Sequence, residues 1–288
     1  MNEVGRVESF RNGMLHFTVS DEGPIDGAIV ILLHGFPQNH RCWGGVRQAL
    51  HASGHRTIAY DQRGYAPQAR PRGRFAYRAK ALASDVLTLI ELLKPRPVSI
   101  VGHDWGALVA WTIAATRPDA VTTLTTVSVP HPRAFLSSLL SSDQGRRAVY
   151  MALFQLPWFP EWWIRRHRRT FGATLSGTGM SPPEVERVIA DVVPSPALTG
   201  GINWYRAMAL TSPRRTAPVA VPTTHVWSTS DTSLARSGAE LTGRYVKADY
   251  RLEILNGSHW IPNEHPAKLA ALIAERVGTA SDHGHEPS

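Results

Sequence analysis

The sequence predicts an α/β fold in which helices cover a mostly parallel sheet that carries a helical insertion. Over the first 130 residues, short β-branched runs alternate with segments of helical spacing, as in a parallel, helix-covered sheet. The alternation stops after Pro130-His131-Pro132, gives way to helical patterns alone until about Pro218, and then resumes. We therefore predict one sheet domain whose chain is interrupted by a cap of helices.

The elements before the insertion follow from local pattern. Residues 4–10 and 14–20 flank an Asn-Gly pair and predict a β-hairpin, and the continuous apolar run 28–33 predicts a strand buried on both faces. The other predicted elements of this half are a strand at 57–60, a helix at 77–93, a strand at 98–101, a helix at 107–116 and a strand at 121–129.

The insertion is expected to contain helices, and the sheet pattern returns after it. The predicted cap helices are 148–156, 161–169, 184–193 and 201–210. The predicted elements that follow are a strand at 223–227, a helix at 237–245, a strand at 250–255 and a helix at 266–277. The boundaries expected are thus 1–130 and 218–278 for the core, 131–217 for the cap, and 279–288 for a disordered tail.

Composition limits the function classes. The 288 residues are 43% hydrophobic, enough for a full core, and no apolar run approaches the length of a membrane span. The N-terminus lacks an apolar signal core and Cys42 is the only cysteine, so we expect a reducing, cytoplasmic location. The net charge of +8 comes from arginines spread along the chain. We therefore expect neither a nucleic-acid partner nor stable membrane insertion.

The segment Gly102-His103-Asp104-Trp105-Gly106 joins a β-branched run to a small-residue helical stretch. This is the strand–turn–helix context of a nucleophile elbow, in which two glycines allow the strand and the helix to approach closely. The residue at the nucleophile position is Asp104. A carboxylate attacks without deprotonation and forms an ester that water must later hydrolyse. A lone G-x-D-x-G is a weak signal, so the prediction depends on partners elsewhere in the chain.

Two residues at later strand ends supply those partners. Asp231 lies in the loop after strand 223–227, and His259 follows the last predicted strand. Taken alone, Asp231 is also compatible with a loop acid or a helix cap, and His259 with a surface histidine. Their order after Asp104 (nucleophile, acid, histidine) is typical of a triad in which the histidine activates water and the acid orients the histidine.

The remaining histidines are expected to play supporting roles. His34 and His103 flank the predicted catalytic loops, where we expect them to brace the site through hydrogen bonds. No His, Cys or Asp grouping has metal-ligand spacing, and the chain has no phosphate-binding glycine loop. We therefore expect no metal and no cofactor.

In combination, four motifs resemble those of the α/β-hydrolase-fold epoxide hydrolases, and the likeness covers roughly residues 6–277. The motifs are His34-Gly35-Phe36-Pro37, Asp61-Gln62-Arg63-Gly64-Tyr65, the Asp104 elbow and Ser258-His259-Trp260. The resemblance implies an oxyanion hole formed by the backbone N–H groups of Phe36 and Trp105, with a cis Phe36–Pro37 bond. It also implies a substrate pocket at His34, Gly35, Pro37 and Phe154.

The same resemblance implies a pair of cap tyrosines that bind the epoxide oxygen. The segment around Tyr150 is similar to the one that carries the first tyrosine, and Asn203-Trp204-Tyr205-Arg206 is similar to the second. Ring opening puts negative charge on the oxygen, and a phenol donates a hydrogen bond or a proton to it at that moment.

One further segment has two interpretations. Trp158-Phe159-Pro160-Glu161-Trp162-Trp163, followed by an arginine-rich run at 165–169, fits either a membrane-surface or entrance patch or a packed cap helix with a solvated basic face. We favour the packed helix.

The function predicted is that of an epoxide hydrolase acting on a small lipophilic epoxide. The sequence does not determine the oligomeric state and is compatible with a homodimer. The first alternative is a haloalkane or haloacid dehalogenase, which shares the Asp–His–acid machinery. Against it, Phe36 occupies the position where a halide-binding Asn or Trp is expected, and no Arg stands beside the elbow to hold a substrate carboxylate. The second alternative is a non-catalytic receptor of the same fold, which would have no need of Asp231 or His259.

Overall fold

The computed structural model describes residues 5–282 and contains an eight-stranded sheet of order β1-β2-β4-β3-β5-β6-β7-β8. The strands are β1 (Ser9–Asn12), β2 (Leu15–Glu22), β3 (Ala28–Leu33), β4 (His55–Tyr60), β5 (Val98–His103), β6 (Thr123–Val127), β7 (Thr223–Ser228) and β8 (Tyr250–Leu255). Strands β3 to β8 pair with their neighbours in parallel. Strands β1 and β2 add an antiparallel edge beside β4. The predicted sheet class and the hairpin are therefore confirmed.

Helices cover both faces of the sheet. Those outside the insertion are α1 (Gly44–Ala52), α2 (Ala79–Leu93), α3 (Trp105–Thr116), α11 (Arg236–Thr242), α12 (Ile261–Glu264) and α13 (Pro266–Asp282). Along β3, Ile31 and Leu33 face a core that includes α2 and α3, whereas Val30 and Leu32 face one that includes α1 and α13. This double burial explains why the strand is apolar at consecutive positions.

The chain between β6 and β7 is helical, as predicted. Its helices are α4 (Pro132–Ser141), α5 (Gln144–Arg147), α6 (Val149–Leu153), α7 (Phe159–Arg166), α8 (Arg168–Gly177), α9 (Pro182–Arg187) and α10 (Ala197–Met208). The single helix predicted at 161–169 is wrong, because the backbone turns at His167 and separates α7 from α8. The helix predicted at 184–193 ends in a π turn over Val188–Val192.

Three other elements differ from what the sequence pattern indicates. The pattern gives no sign of helix α1, because this helix opens on Gly44-Gly45 and buries few apolar side chains. Strand β6 ends before Ser128, whose φ of 69° takes the chain out of the sheet. Helix α13 continues to Asp282, so the first four residues of the predicted disordered tail are helical. The rest of that tail, 283–288, lies outside the described residues.

No helix within residues 5–282 is both long enough and apolar enough to cross a membrane.

The junction of β5 and α3 depends on glycine. A Cβ at Gly106 would lie 2.0 Å from the carbonyl oxygen of Leu33, and one at Gly102 would lie 2.3 Å from that of Gly106. Both contacts are with backbone atoms, which cannot move aside as the end of a side chain can. The sheet and α3 therefore meet at a distance that no larger residue permits.

We predict that Gly106→Ala lowers the free energy of unfolding by about 3 kcal/mol or more, because the added methyl group forces backbone apart in a packed region. Urea unfolding followed by circular dichroism measures this change. The control is Gly177→Ala, at an exposed helical position with no atom within 4 Å of the new Cβ. It should be neutral or raise stability by up to about 1 kcal/mol. Equal stability of the two variants would contradict the close-approach argument.

Candidate active site

Asp104 occupies the tight turn between β5 and α3. Its φ of 52° and ψ of −121° belong to a conformation that residues other than glycine rarely adopt. The side chain is buried, with 7% of the residue exposed, and still reaches the large cavity described below. Strain of this kind is typical of a residue that the surrounding structure holds for function.

The loop after β3 approaches the carboxylate of Asp104. The Phe36 N–H donates a hydrogen bond of 2.8 Å to Asp104 Oδ1, and a Cβ at Gly35 would lie 2.3 Å from the same oxygen. Trp105 is the first residue of α3, so its N–H has no acceptor within the helix. The Phe36–Pro37 peptide bond is cis, which confirms that prediction.

His259 lies between Asp104 and Asp231. Its Nδ1 is 2.8 Å from Asp231 Oδ2, and its Nε2 is 3.7 Å from Asp104 Oδ2. The other oxygen of Asp231 accepts hydrogen bonds from the backbone N–H groups of Ser233 and Leu234, at 2.8 and 2.9 Å. All three predicted residues are therefore in one cluster, with the histidine in the middle.

The electrostatics of the cluster follow from this order. Burial alone would lower the pKa of His259, but the charges and hydrogen bonds of Asp231 and Asp104 outweigh it and raise the pKa to about 10. Burial would raise the pKa of Asp231, but the charge and hydrogen bond of His259 and two backbone N–H groups lower it. Asp231 is thus held as a carboxylate, and the charge on Asp104 strengthens the basicity of the imidazole.

Two other histidines brace the loops, as expected. Burial lowers the pKa of His34 and of His103 to about 4 in each case, so both rings are neutral. His34 Nε2 accepts a hydrogen bond from the Gln62 N–H, and His103 Nε2 donates one to the carbonyl oxygen of His259. Neither ring can act as a cation there, and both fix backbone around the cluster.

The two predicted tyrosines lie side by side opposite the elbow. Tyr150 is on α6 and Tyr205 is on α10, and their ring centroids are 5.9 Å apart. Burial raises the pKa of both phenols, and the nearby charge of Asp104 raises them further. Both hydroxyl groups therefore remain protonated, and can donate, over the whole neutral pH range.

Tyr205 is positioned by the contact of α10 with the turn that follows β4. The Trp204 indole N–H donates to the carbonyl oxygen of Arg63 at 2.9 Å. A Cβ at Gly200 would lie 2.2 Å from the carbonyl oxygen of Gly64, so these two backbones touch. The Asp61-Gln62-Arg63-Gly64-Tyr65 motif thus provides the surface on which the second tyrosine helix docks.

Asp104, Tyr150 and Tyr205 line two cavities that meet at these residues. One cavity, of about 570 Å³, extends past His259 and is walled by cap residues; the other, of about 160 Å³, extends along α3. The cap residues that wall the larger cavity are Leu153, Phe154, Phe159, Pro160, Trp163, Ile164, Phe171, Thr174, Leu175 and Thr178. Both cavities are mainly apolar, which favours a lipophilic ligand.

The predicted pocket residues fall into two groups. Pro37 and Phe154 line the larger cavity. His34 and Gly35 line neither cavity, because the His34 ring is fully buried behind the loop and Gly35 packs on the Asp104 side chain. Neither residue therefore forms part of a cavity wall, and a role for them in binding substrate stays a prediction.

Sequence reasoning missed the side chains that hold the loop of Asp231. Gln144 donates to the carbonyl oxygen of Ser233 and accepts from the Ala235 N–H, and Arg147 donates to the carbonyl oxygen of Asp231. Both residues belong to α5, more than 80 positions away in the chain. No local pattern in the sequence signals such a contact. Between residues 5 and 282, no three His, Cys, Asp or Glu side chains cluster as a metal site.

Comparison with known proteins agrees with this geometry. The family model for the alpha/beta hydrolase fold matches residues 28–266. The chain is 33% identical over 264 residues to the AB hydrolase superfamily protein YfhM of Bacillus subtilis, covering 89% of this chain and 92% of the relative. It is 32% identical over 259 residues to human epoxide hydrolase 4, covering 85% of this chain and 71% of the relative.

A solved structure also resembles this chain. Epoxide hydrolase A from Mycobacterium thermoresistibile superposes with a TM-score of 0.76 at 25% identity, over 93% of this chain and 96% of that one. The chain therefore belongs to the α/β-hydrolase-fold family. Within that family it groups with the epoxide hydrolases, and it is an epoxide hydrolase-like hydrolase.

We predict that the imidazole of His259 titrates above its ordinary pKa of 6.5 in the native protein and that Asp104→Asn lowers this pKa, because one of the two flanking charges is removed. NMR of protein labelled with ¹⁵N-histidine, assigned with His259→Gln, measures both values. Because folding raises the pKa of His259, the protonated imidazole contributes to the free energy of unfolding. This contribution is fully present below about pH 6.5 and is lost as the pH rises toward about 10. An unchanged pKa in Asp104→Asn would contradict the arrangement.

Proposed function

We propose that the protein hydrolyses a lipophilic epoxide to a vicinal diol through a covalent ester on Asp104. The observation that carries the proposal is the pair of phenol side chains, Tyr150 and Tyr205, which line both cavities together with Asp104. An epoxide between them would have its carbon next to a nucleophile and its oxygen next to two donors. The epoxide hydrolases among its relatives support the same substrate class.

In the first step, Asp104 Oδ2 attacks a carbon of the oxirane ring. Oδ1 is held by the Phe36 N–H, which leaves Oδ2 as the free oxygen and makes Oδ1 the carbonyl oxygen of the ester. The carbon–oxygen bond of the ring breaks, and its electron pair goes to the epoxide oxygen, which takes a proton from Tyr150 or Tyr205. The products of the step are a hydroxyalkyl ester and a phenolate.

In the second step, His259 takes a proton from water, and the resulting hydroxide attacks the ester carbonyl carbon. In the free enzyme the raised pKa keeps His259 protonated at neutral pH. Ester formation removes the charge of Asp104, so the pKa of His259 falls, the imidazolium releases its proton to solvent, and the neutral imidazole acts as the base. A proton is taken up again from solvent when the Asp104 carboxylate re-forms. The N–H groups of Phe36 and Trp105 stabilise the oxyanion. The imidazolium returns its proton to the departing diol oxygen, and the second proton of the water restores the phenol.

Asp231 acts by fixing the imidazole. Its hydrogen bond to Nδ1 selects the tautomer whose Nε2 accepts a proton, and its charge stabilises the imidazolium. One oxygen of Asp231 accepts a hydrogen bond from His259, and the other accepts hydrogen bonds from two backbone N–H groups. Asp231 therefore has no oxygen left to attack a substrate. This difference in hydrogen bonding separates the roles of the two carboxylates.

We predict that His259→Gln accumulates the ester, because attack on the epoxide does not need the base that hydrolysis needs. Intact-protein mass spectrometry after incubation with styrene oxide should show a gain equal to the whole epoxide, and Asp104→Ala should show none. With a 1-haloalkane, a gain of the alkyl group without halogen would instead assign a dehalogenase. Fast steady turnover by His259→Gln would contradict the role of this residue.

We predict that Tyr150→Phe and Tyr205→Phe each lower the rate of ester formation by about 10- to 100-fold, because each loses a hydrogen bond to a developing charge. The double variant should lose about 10² to 10⁴. Stopped-flow tryptophan fluorescence in single turnovers measures the step. The matched control is Tyr250→Phe on β8, which should leave the rate unchanged. Full activity of the double variant would refute the assignment of the phenols.

A further inference from the structure

The surface of the cap concentrates exposed hydrophobic side chains. In the described part of the chain, six of the twelve large hydrophobic residues that are exposed lie between positions 149 and 162. We call this group the aromatic patch, and it consists of Val149, Leu153, Leu156, Trp158, Phe159 and Trp162. Exposed apolar groups scattered singly need no explanation, whereas a concentration of this kind marks an interaction surface.

The two tryptophans are the most informative members of the patch. Trp158, which directly precedes α7, is 71% exposed, and Trp162 within α7 is 53% exposed, whereas Pro160 and Ile164 of that helix are buried. The favoured prediction of a packed helix thus holds for one face of α7 only. Trp158 also has a φ of 50°, a left-handed conformation that is unfavourable for a side chain of this size. The backbone is strained at the most exposed residue of the patch.

The charged residues of the segment that carries the patch are basic, with one exception. Between positions 149 and 169 the only acidic residue is Glu161, which is buried and bound by Arg206. Arg166, Arg168 and Arg169 are exposed, and none of them has an ion pair within the described chain. Arg165 donates only to backbone carbonyl groups, so its charge is not neutralised either.

We propose that the aromatic patch and these arginines form a surface that binds anionic phospholipid bilayers. Tryptophan is enriched where proteins meet the headgroup region, since its ring is apolar and its N–H is polar. Arginines beside an apolar helix face are attracted to anionic lipids, and the two together give reversible interfacial binding without a spanning helix. Charge complementarity therefore selects an anionic lipid surface as the occupant.

The patch is continuous with the larger cavity of the active site. Leu153 and Phe159 belong to the patch and also line that cavity, which reaches Asp104. A compound dissolved in the bilayer would thus enter the cavity without passing through bulk water. This delivery step rests on the proposed function, whereas the binding of lipid does not.

Vesicle sedimentation tests the proposal. Native protein should pellet with vesicles of phosphatidylcholine and phosphatidylglycerol in equal parts, and much less with phosphatidylcholine alone. Trp158→Ser with Trp162→Ser should weaken binding at least about tenfold, because less apolar surface is buried. Arg166→Gln with Arg168→Gln should weaken it by about 25-fold, which corresponds to about fivefold for each arginine. Neither pair lines the cavities at Asp104, so activity on a water-soluble epoxide should persist.

Matched substitutions elsewhere on the surface serve as controls. Phe75→Ser removes an exposed aromatic ring, and Arg72→Gln with Arg74→Gln removes two exposed arginines outside the patch. These variants should bind like the native protein. Absence of binding to anionic vesicles would overturn the proposal, and so would equal losses in the controls. A dimer in analytical ultracentrifugation that Trp158→Ser and Trp162→Ser abolish, without lipid binding, would assign the patch to a second copy of the chain.

Discussion

The placement of one imidazole between two buried carboxylates is the constraint on which the site depends. His259 contacts Asp231 at 2.8 Å and faces Asp104 at 3.7 Å, and all three residues are buried. Two like charges are tolerated there because each carboxylate accepts backbone hydrogen bonds and both lie near the same histidine. The remaining difference between them is that Asp104 lines the cavities and Asp231 does not. This difference makes one carboxylate a candidate nucleophile and the other an orienting group.

The helices between β6 and β7 complete this arrangement from the opposite side. Tyr150 and Tyr205 come from two helices of the insertion, and the close backbone approach of Gly64 and Gly200 fixes the helix of Tyr205 on a core loop. Gln144 ties the same group of helices to the loop of Asp231. Asp104, His259 and the two phenols are thus held by separate parts of the chain that meet at one cavity.

The sequence predicted those features that depend on local pattern. The parallel sheet follows from consecutive apolar positions in β3, and the elbow from Gly102 and Gly106, whose missing side chains are needed where backbones touch. What it could not predict depends on contacts distant in the chain. Gln144 carries no local signature, and the break at His167 has neither proline nor glycine to mark it. The resemblance places His34, Gly35 and Pro37 together in the pocket, but only Pro37 lines a cavity, because neighbours in sequence point to different sides of a loop.

The central claim is that Asp104 itself attacks the substrate, and a single turnover in H₂¹⁸O tests this most directly. With enzyme in excess over styrene oxide, hydroxide attacks the ester carbonyl carbon, so the account predicts ¹⁸O in the peptide that contains Asp104 and an unlabelled diol. Digestion and mass spectrometry locate the label. Label in the diol with none in Asp104 would mean that water attacks the epoxide directly, and it would contradict the covalent mechanism.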